Sequence, residues 1–181
     1  YFIHPFDGPL TLQGSATLGL EIVEYLKSIN TKIDSLLISV GGGGLISGVS
    51  SYVKQFYPKI KIIGVEPEKA NGLNQSFRAN KPLNNVNVNS IADSLSAPLH
   101  MQYSFDVAKE VIDEMVTVSD DQMKEFMFFC YKKFKLFLEP ACVAGLAALK
   151  YKISSELIGK NTMIILCGSN IDKKTWLNLT N

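Results

Sequence analysis

At 181 residues, 46% hydrophobic and 19% charged, the chain has the balance of one ordinary globular domain built on a single core. A net charge of +1 offers no electrostatic basis for binding nucleic acid or an anionic membrane, and no apolar stretch approaches the roughly 20 residues that span a bilayer. The three cysteines, Cys130, Cys142 and Cys167, are too widely spaced for a disulfide framework or a zinc site and point to a reducing, cytoplasmic compartment.

The chain opens at Tyr1-Phe-Ile-His-Pro5, with no initiator methionine, and reads as the middle of something longer. Pro9 suits a first helical turn, and Leu12, Leu18, Leu20, Ile22, Val23 and Leu26 then repeat at helical spacing through Lys27. Ser35–Val40 reads as a buried strand, Leu45–Phe56 as a helix stopped before Pro58, and Ile60–Val65 as a second strand. Two apolar strands joined by a helix form a βαβ unit, whose sheet must be covered on both faces.

Periodicity is lost from Asn71 to Pro98, where asparagines cluster, apart from a short helix expected at Gly72–Ala79. Met101–Ile112 predicts a helix and Glu114–Val118 a short strand. Ser119 and Gln122 make a capping box for a helix over Asp120–Lys135. Pro140 starts a helix rich in alanine and glycine, Thr162–Leu166 is a last strand, and a closing helix follows from Asp172. The predicted architecture is α/β, a three-layer parallel sheet with helices on both faces.

Gly41, Gly42, Gly43 and Gly44 lie between the first strand and its helix. A loop without side chains can turn its N–H groups inward around an anion, and the following helix adds unpaired N–H groups and the positive end of its dipole. In open parallel sheets, ligands bind beyond the carboxyl ends of the strands. Glu66-Pro67 follows the second strand and Cys167-Gly-Ser-Asn170 the last, while Glu139-Pro140 joins two helices. One sheet edge therefore collects an anion cradle, a carboxylate and a thiol.

A dinucleotide is one ligand for such an edge. Gly42-x-Gly44-x-x-Ser47 approaches the dinucleotide fingerprint, and Glu66 stands ~20 residues on, where a ribose-binding acid belongs. The third glycine of that motif is absent. Pyridoxal 5'-phosphate is the other ligand, because its phosphate needs a cradle and its ring nitrogen a partner.

The order of motifs along the chain favours the second ligand. His4-Pro5-Phe6-Asp7, Gly14-Ser-Ala-Thr17, Leu20-Glu21, Val40-Gly-Gly-Gly-Gly-Leu45 and Gly64-Val-Glu66-Pro67 come first. Ile91-Ala-Asp93, Val116-Thr-Val118, Leu138-Glu139-Pro140 and Cys167-Gly168-Ser169-Asn170 follow. Together they resemble the C-terminal part of fold-type-II pyridoxal-phosphate enzymes, in the threonine dehydratase and serine racemase group.

That resemblance implies an incomplete tryptophan-synthase-beta-like large domain over residues 1–181, lacking the N-terminal half. It implies that Gly41 to Gly44 and Leu45 hold the cofactor phosphate, that Cys167 faces the pyridine nitrogen, and that Glu139 lies near the ring. Glu66 and the Ala70 carbonyl match a cation site of the family, with Gly72 where an acid often completes it. Ser94 stands where many relatives have glycine, and Ser15-Ala16 replaces a common Gln-Gly. His4, before a proline turn, matches a structural position rather than an acid or base.

The Schiff-base lysine of the family lies upstream of this chain, which leaves no catalytic residue of its own to name here. The complete protein is expected to be a homo-oligomer that takes a small hydroxy amino acid and no nucleic acid or membrane. Its expected reaction is β-elimination to a 2-oxo acid and ammonia, with serine racemisation as the alternative branch. If Asn181 is near the natural end, no regulatory domain follows. A non-enzymatic interaction fragment is the remaining alternative. The isolated chain is expected to show no turnover of serine or threonine, and an assay for 2-oxo acid release checks this.

Overall fold

The computed structural model describes residues 2–154, 159 and 161–180, so Tyr1 and Asn181, on which the expectations about the chain ends rest, lie outside the described residues. In order, the elements are α1 (Pro9–Ser28), β1 (Ser35–Ser39), α2 (Gly44–Phe56), β2 (Lys61–Pro67), α3 (Gly72–Ala79) and a 3-10 turn at Asp93–Leu95. There follow α4 (Gln102–Val111), β3 (Glu114–Val118), α5 (Asp120–Phe134), α6 (Pro140–Tyr151), β4 (Thr162–Ile164) and α7 (Lys173–Thr180).

Local chemistry explains several of these boundaries. Pro9 and Pro140 open α1 and α6, where a missing N–H costs nothing. The Ser119 hydroxyl accepts from Gln122 N–H (3.2 Å) while the Gln122 side chain accepts from Ser119 N–H (2.9 Å), closing the expected capping box on α5.

The four strands are parallel in the order β3-β2-β1-β4. Successive residues of β1 point to opposite faces. Leu36 and Ile38 pack with Val23 and Leu26 of α1, Val49 and Val53 of α2, and Phe105 of α4. Leu37 faces the other way, into Met123 and Met127 of α5 and Ala144 and Ala148 of α6. The sheet is the middle of three layers, as the apolar strands required. On the α5–α6 side, Trp176 of α7 is buried and donates its indole N–H to the Leu138 carbonyl (3.1 Å).

β1 stops one residue short of the sequence expectation, at Ser39, and β2 starts one residue late, at Lys61. The ends of β2 and β4 differ by two residues each. β2 runs through Glu66 and Pro67 because β3 pairs with it in the register Glu66↔Thr117 and Pro67↔Val118. Glu66 therefore sits inside the sheet rather than beyond it, since the length of a strand is set by its partner. β4 stops at Ile164, although Ile165 N–H still reaches the Leu37 carbonyl (3.1 Å) before the chain turns away.

Helices α1 and α2 meet closely at Gly48. A methyl group there would overlap the Leu12 carbonyl and the Ser15 side chain and lie 3.0 Å from Ala16 N. Gly48→Ala is expected to destabilise the fold by about 1–3 kcal/mol through overpacking, measurable by urea denaturation.

Candidate functional site

The chain leaves β1 toward β2 on one side, whereas β4 flanks β1 on the other. Connections diverge at that point, and a crevice opens beyond the carboxyl ends of β1 and β4. A cavity of about 290 Å³ lies there, lined by Gly41 to Leu45 after β1 and by Cys167 after β4. Pro5, Phe6, Ser39, Ser94, Leu95 and Ala141 complete much of its wall.

Gly43 precedes the first turn of α2 with φ +93°, a conformation that L side chains rarely adopt. No side chain caps this helix, so the first-turn N–H groups are left for a ligand. The loop is glycine for steric reasons as well. A methyl on Gly42 would overlap the Phe6 ring, and one on Gly44 would lie 2.7 Å from the Phe6 backbone. The His4–Asp7 segment thus lies directly against the cradle.

That segment is held by its own contacts. His4 Nδ1 accepts from Phe6 N–H (3.3 Å), the His4 carbonyl accepts from the Thr11 hydroxyl (2.8 Å), and the His4 and Phe6 rings meet edge to face. Asp7 accepts from Ser104 N–H at the start of α4 (2.7 Å). His4 has a folding task here, in keeping with its place before a proline.

Cys167 on the cavity wall is solvent-exposed, yet desolvation by the atoms packed around its sulfur, followed by the Glu139 carboxylate, raises its thiol above the ordinary value. Cys167 therefore stays protonated at neutral pH and is available as a neutral donor. Glu139 is buried at the start of α6, accepts from the Ser94 hydroxyl (3.2 Å), and abuts Gly168, whose missing Cβ makes room for its carboxylate. Cys142 lies deeper, and burial, with smaller contributions from Cys167 and Glu139, pushes its thiol up to about 12. It is an inert packing residue.

Ser39 was not legible as a site residue. It is buried on the cavity wall, and its hydroxyl has no hydrogen-bond partner. Its strand parity, two residues beyond Leu37 and next to the glycine run, was the only available signal. The sequence carried no cue at all for His100, whose Nε2–H donates to the Gly41 carbonyl (3.1 Å) from behind the loop.

Glu66 and Ala70 lie away from the cavity. Both oxygens of Glu66 accept backbone N–H bonds at the start of α3, from Leu73 (2.8 Å) and Asn74 (2.9 Å). Gly72 faces His100, and a methyl there would lie 2.5 Å from His100 Cε1. No group of three or more His, Cys, Asp or Glu side chains among the described residues is arranged to hold a metal.

The residues present fit pyridoxal 5'-phosphate. An uncapped helix start suits the phosphate, and a protonated thiol on the wall of the same cavity suits an unprotonated ring nitrogen. A dinucleotide fits poorly. Its ribose acid would be Glu66, which is fully buried and engaged at both oxygens.

Fold and site together define a pyridoxal-phosphate-binding α/β domain. The chain belongs to the pyridoxal-phosphate dependent enzyme family, whose sequence pattern matches residues 1–168. It is 41% identical to the phenylserine dehydratase of Ralstonia pickettii, covering 97% of this chain and 53% of that protein. It is 34% identical to the L-threo-3-hydroxyaspartate ammonia-lyase of Saccharomyces cerevisiae, covering 98% of this chain and 53% of the relative.

Among solved structures, the processed form of threonine deaminase isoform 2 from Solanum lycopersicum superposes with a TM-score of 0.87 at 34% identity, over 98% of this chain and 51% of its own. Maize serine racemase gives 0.84 at 32% identity, over 97% and 53%. The chain spans about half the length of the relatives it matches.

Two measurements follow from this geometry. Gly42→Ala is expected to displace Phe6 and weaken pyridoxal-phosphate binding at least ~10-fold, read by absorbance titration. Burial also raises the Glu66 carboxyl from 4.5 to about 8, against the pull of two N–H bonds. A raised folded-state value means that stability is fully present below about pH 4.5 and is lost as pH rises through about 8. Thermal midpoints between about pH 6.5 and 8.5 are therefore expected to fall with pH, and less steeply in Glu66→Gln.

Proposed function

We propose that this chain is the C-terminal portion of the cofactor-binding domain of a pyridoxal-phosphate-dependent ammonia-lyase acting on a small hydroxy amino acid. One observation carries the reading: a single cavity is lined both by the glycine loop at an uncapped helix start and by a protonated thiol. Relatives named for phenylserine and threo-3-hydroxyaspartate support a β-hydroxy amino acid as substrate.

When bound, pyridoxal phosphate supplies an electron sink that acidifies the α-proton of an amino acid. This chain's part is to hold and tune it. The loop from Gly41 to Leu45 would hold the phosphate, aided by the α2 dipole. The Cys167 thiol would donate to the ring nitrogen and keep its proton, because its proton affinity is raised rather than lowered.

Glu139, tethered by Ser94 and backed by Gly168, places a carboxylate beside the thiol and helps to hold its proton. No lysine lines the cavity among the described residues, and on this reading the Schiff-base lysine is contributed by another part of the protein. A homo-oligomer, in a cytoplasmic setting, completes the proposal.

Serine racemisation is the second reading, favoured by the likeness to maize serine racemase. A cation at Glu66 and the Ala70 carbonyl is a further part of the proposal. Glu66 already serves two N–H groups and Gly72 adds no oxygen from a side chain. A rise in thermal midpoint with magnesium or calcium ions would establish that site.

In the complete protein, a panel of hydroxy amino acids is expected to yield 2-oxo acids, and accumulation of D-serine instead would favour racemisation. Cys167→Ser is expected to keep activity within about threefold, whereas Cys167→Ala is expected to lose about tenfold as the donor disappears. Equal activity of all three forms would remove Cys167 from the site.

A further inference from the structure

His100 belongs to no motif, yet it occupies a determined place. It is buried, its backbone N–H donates to the Leu83 carbonyl (2.7 Å), and Leu83 N–H in turn donates to the Ser76 hydroxyl of α3 (3.1 Å). The irregular segment between α3 and α4 is thus pinned so as to deliver one imidazole behind the glycine loop. The ring edge lies against Gly72, where no side chain intervenes.

The carbonyl of Gly41 can only accept, so its partner Nε2 must carry the proton. Burial lowers the proton affinity of the ring and keeps it neutral, which leaves Nδ1 bare. Nδ1 is buried without a hydrogen-bond partner. An unmet acceptor of this kind costs stability, about 1–3 kcal/mol in general. A bond kept at that cost is informative about what the other nitrogen does.

The Gly41 carbonyl shares its peptide plane with the Gly42 N–H. No cis peptide occurs among the described residues, and in a trans peptide the two groups point in opposite directions. Gly41 and Gly42 line the cavity, whereas His100, which holds the Gly41 carbonyl, is not part of its lining. Glycine on both sides of this peptide leaves its backbone angles intrinsically free, so the packing of Phe6, Ser94 and Leu95 around it and the His100 bond set its orientation. We propose that His100 is a positioning residue for the anion cradle: by holding the Gly41 carbonyl outward, it aims the Gly42 N–H at the bound phosphate.

Two further carbonyls of the loop are also held. The Gly43 carbonyl accepts from Ser47 N–H (3.0 Å) and the Gly44 carbonyl from the Ser15 hydroxyl (2.9 Å). Of these partners His100 is the most distant in sequence, 59 positions from Gly41 against 29 between Ser15 and Gly44. It couples the segment that follows α3 to phosphate affinity.

This inference rests on the phosphate reading of the loop, and the test separates the two. In the complete protein, dissociation constants are measured for pyridoxal 5'-phosphate and for pyridoxal, which lacks the phosphate. The protein is compared with His100→Leu, which removes the donor, and His100→Gln, which restores one. The leucine variant is expected to bind pyridoxal 5'-phosphate about five- to tenfold more weakly, with pyridoxal affinity unchanged and the phosphorus-31 shift of the bound cofactor moved.

The glutamine variant is expected to recover affinity to within about twofold and to restore the shift. An unchanged affinity for pyridoxal 5'-phosphate in the leucine variant, or an equal loss for both ligands, overturns the positioning role. Equal affinity of the unmodified protein for both ligands overturns the phosphate reading itself, and the proposal with it. Nitrogen-15 shifts of His100 give a check that does not depend on any variant folding. They are expected to show protonated Nε2 and bare Nδ1, and the opposite tautomer overturns the proposal.

Discussion

A helix start without a side-chain cap, set at the end of a fully buried strand, is the constraint on which the rest of this site depends. The N–H groups at the start of α2 have no partner from the helix itself, and Gly43 supplies no oxygen to satisfy them. An anion both pairs these donors and meets the positive end of the dipole. β1 fixes their position from below, since Leu36, Leu37 and Ile38 are wholly buried between the two helical layers. The loop above is fixed by close approach, with Phe6 so near Gly42 and Gly44 that no side chain could be accommodated.

The same crevice is kept nearly free of charge except where a ligand needs it. Cys167 and Cys142 are both raised by burial and by the carboxylate of Glu139, so neither thiol competes as an anion. His100 is held neutral behind the loop. The glycine loop at the start of α2 and the Cys167 thiol line one cavity, with Glu139 tied to Ser94 of its wall.

Much of this was legible in the chain because short-range chemistry controls it. The capping box at Ser119 and Gln122, the prolines that open α1 and α6, and the apolar strand before four glycines are local signals, and each element formed where it was expected. Glu66 shows where such signals end. It resembles a polar residue just beyond a strand, but pairing with β3 draws it into the sheet, and α3 then claims both of its oxygens. Nothing within a few residues of Glu66 encodes either partner.

Sequence by itself determined the three-layer α/β architecture, the glycine run between β1 and α2 and the order of family motifs, because these depend on spacing and residue type along one stretch of chain. Tertiary structure alone decided that the loops after β1 and β4 share one cavity, since strand order is a matter of which edges meet. It also placed Ser39 on the cavity wall, tied Ser94 to Glu139, and brought His100 to the Gly41 carbonyl across 59 positions of sequence. Contacts of that range are set by packing of the two helical layers against the sheet, which no local pattern records.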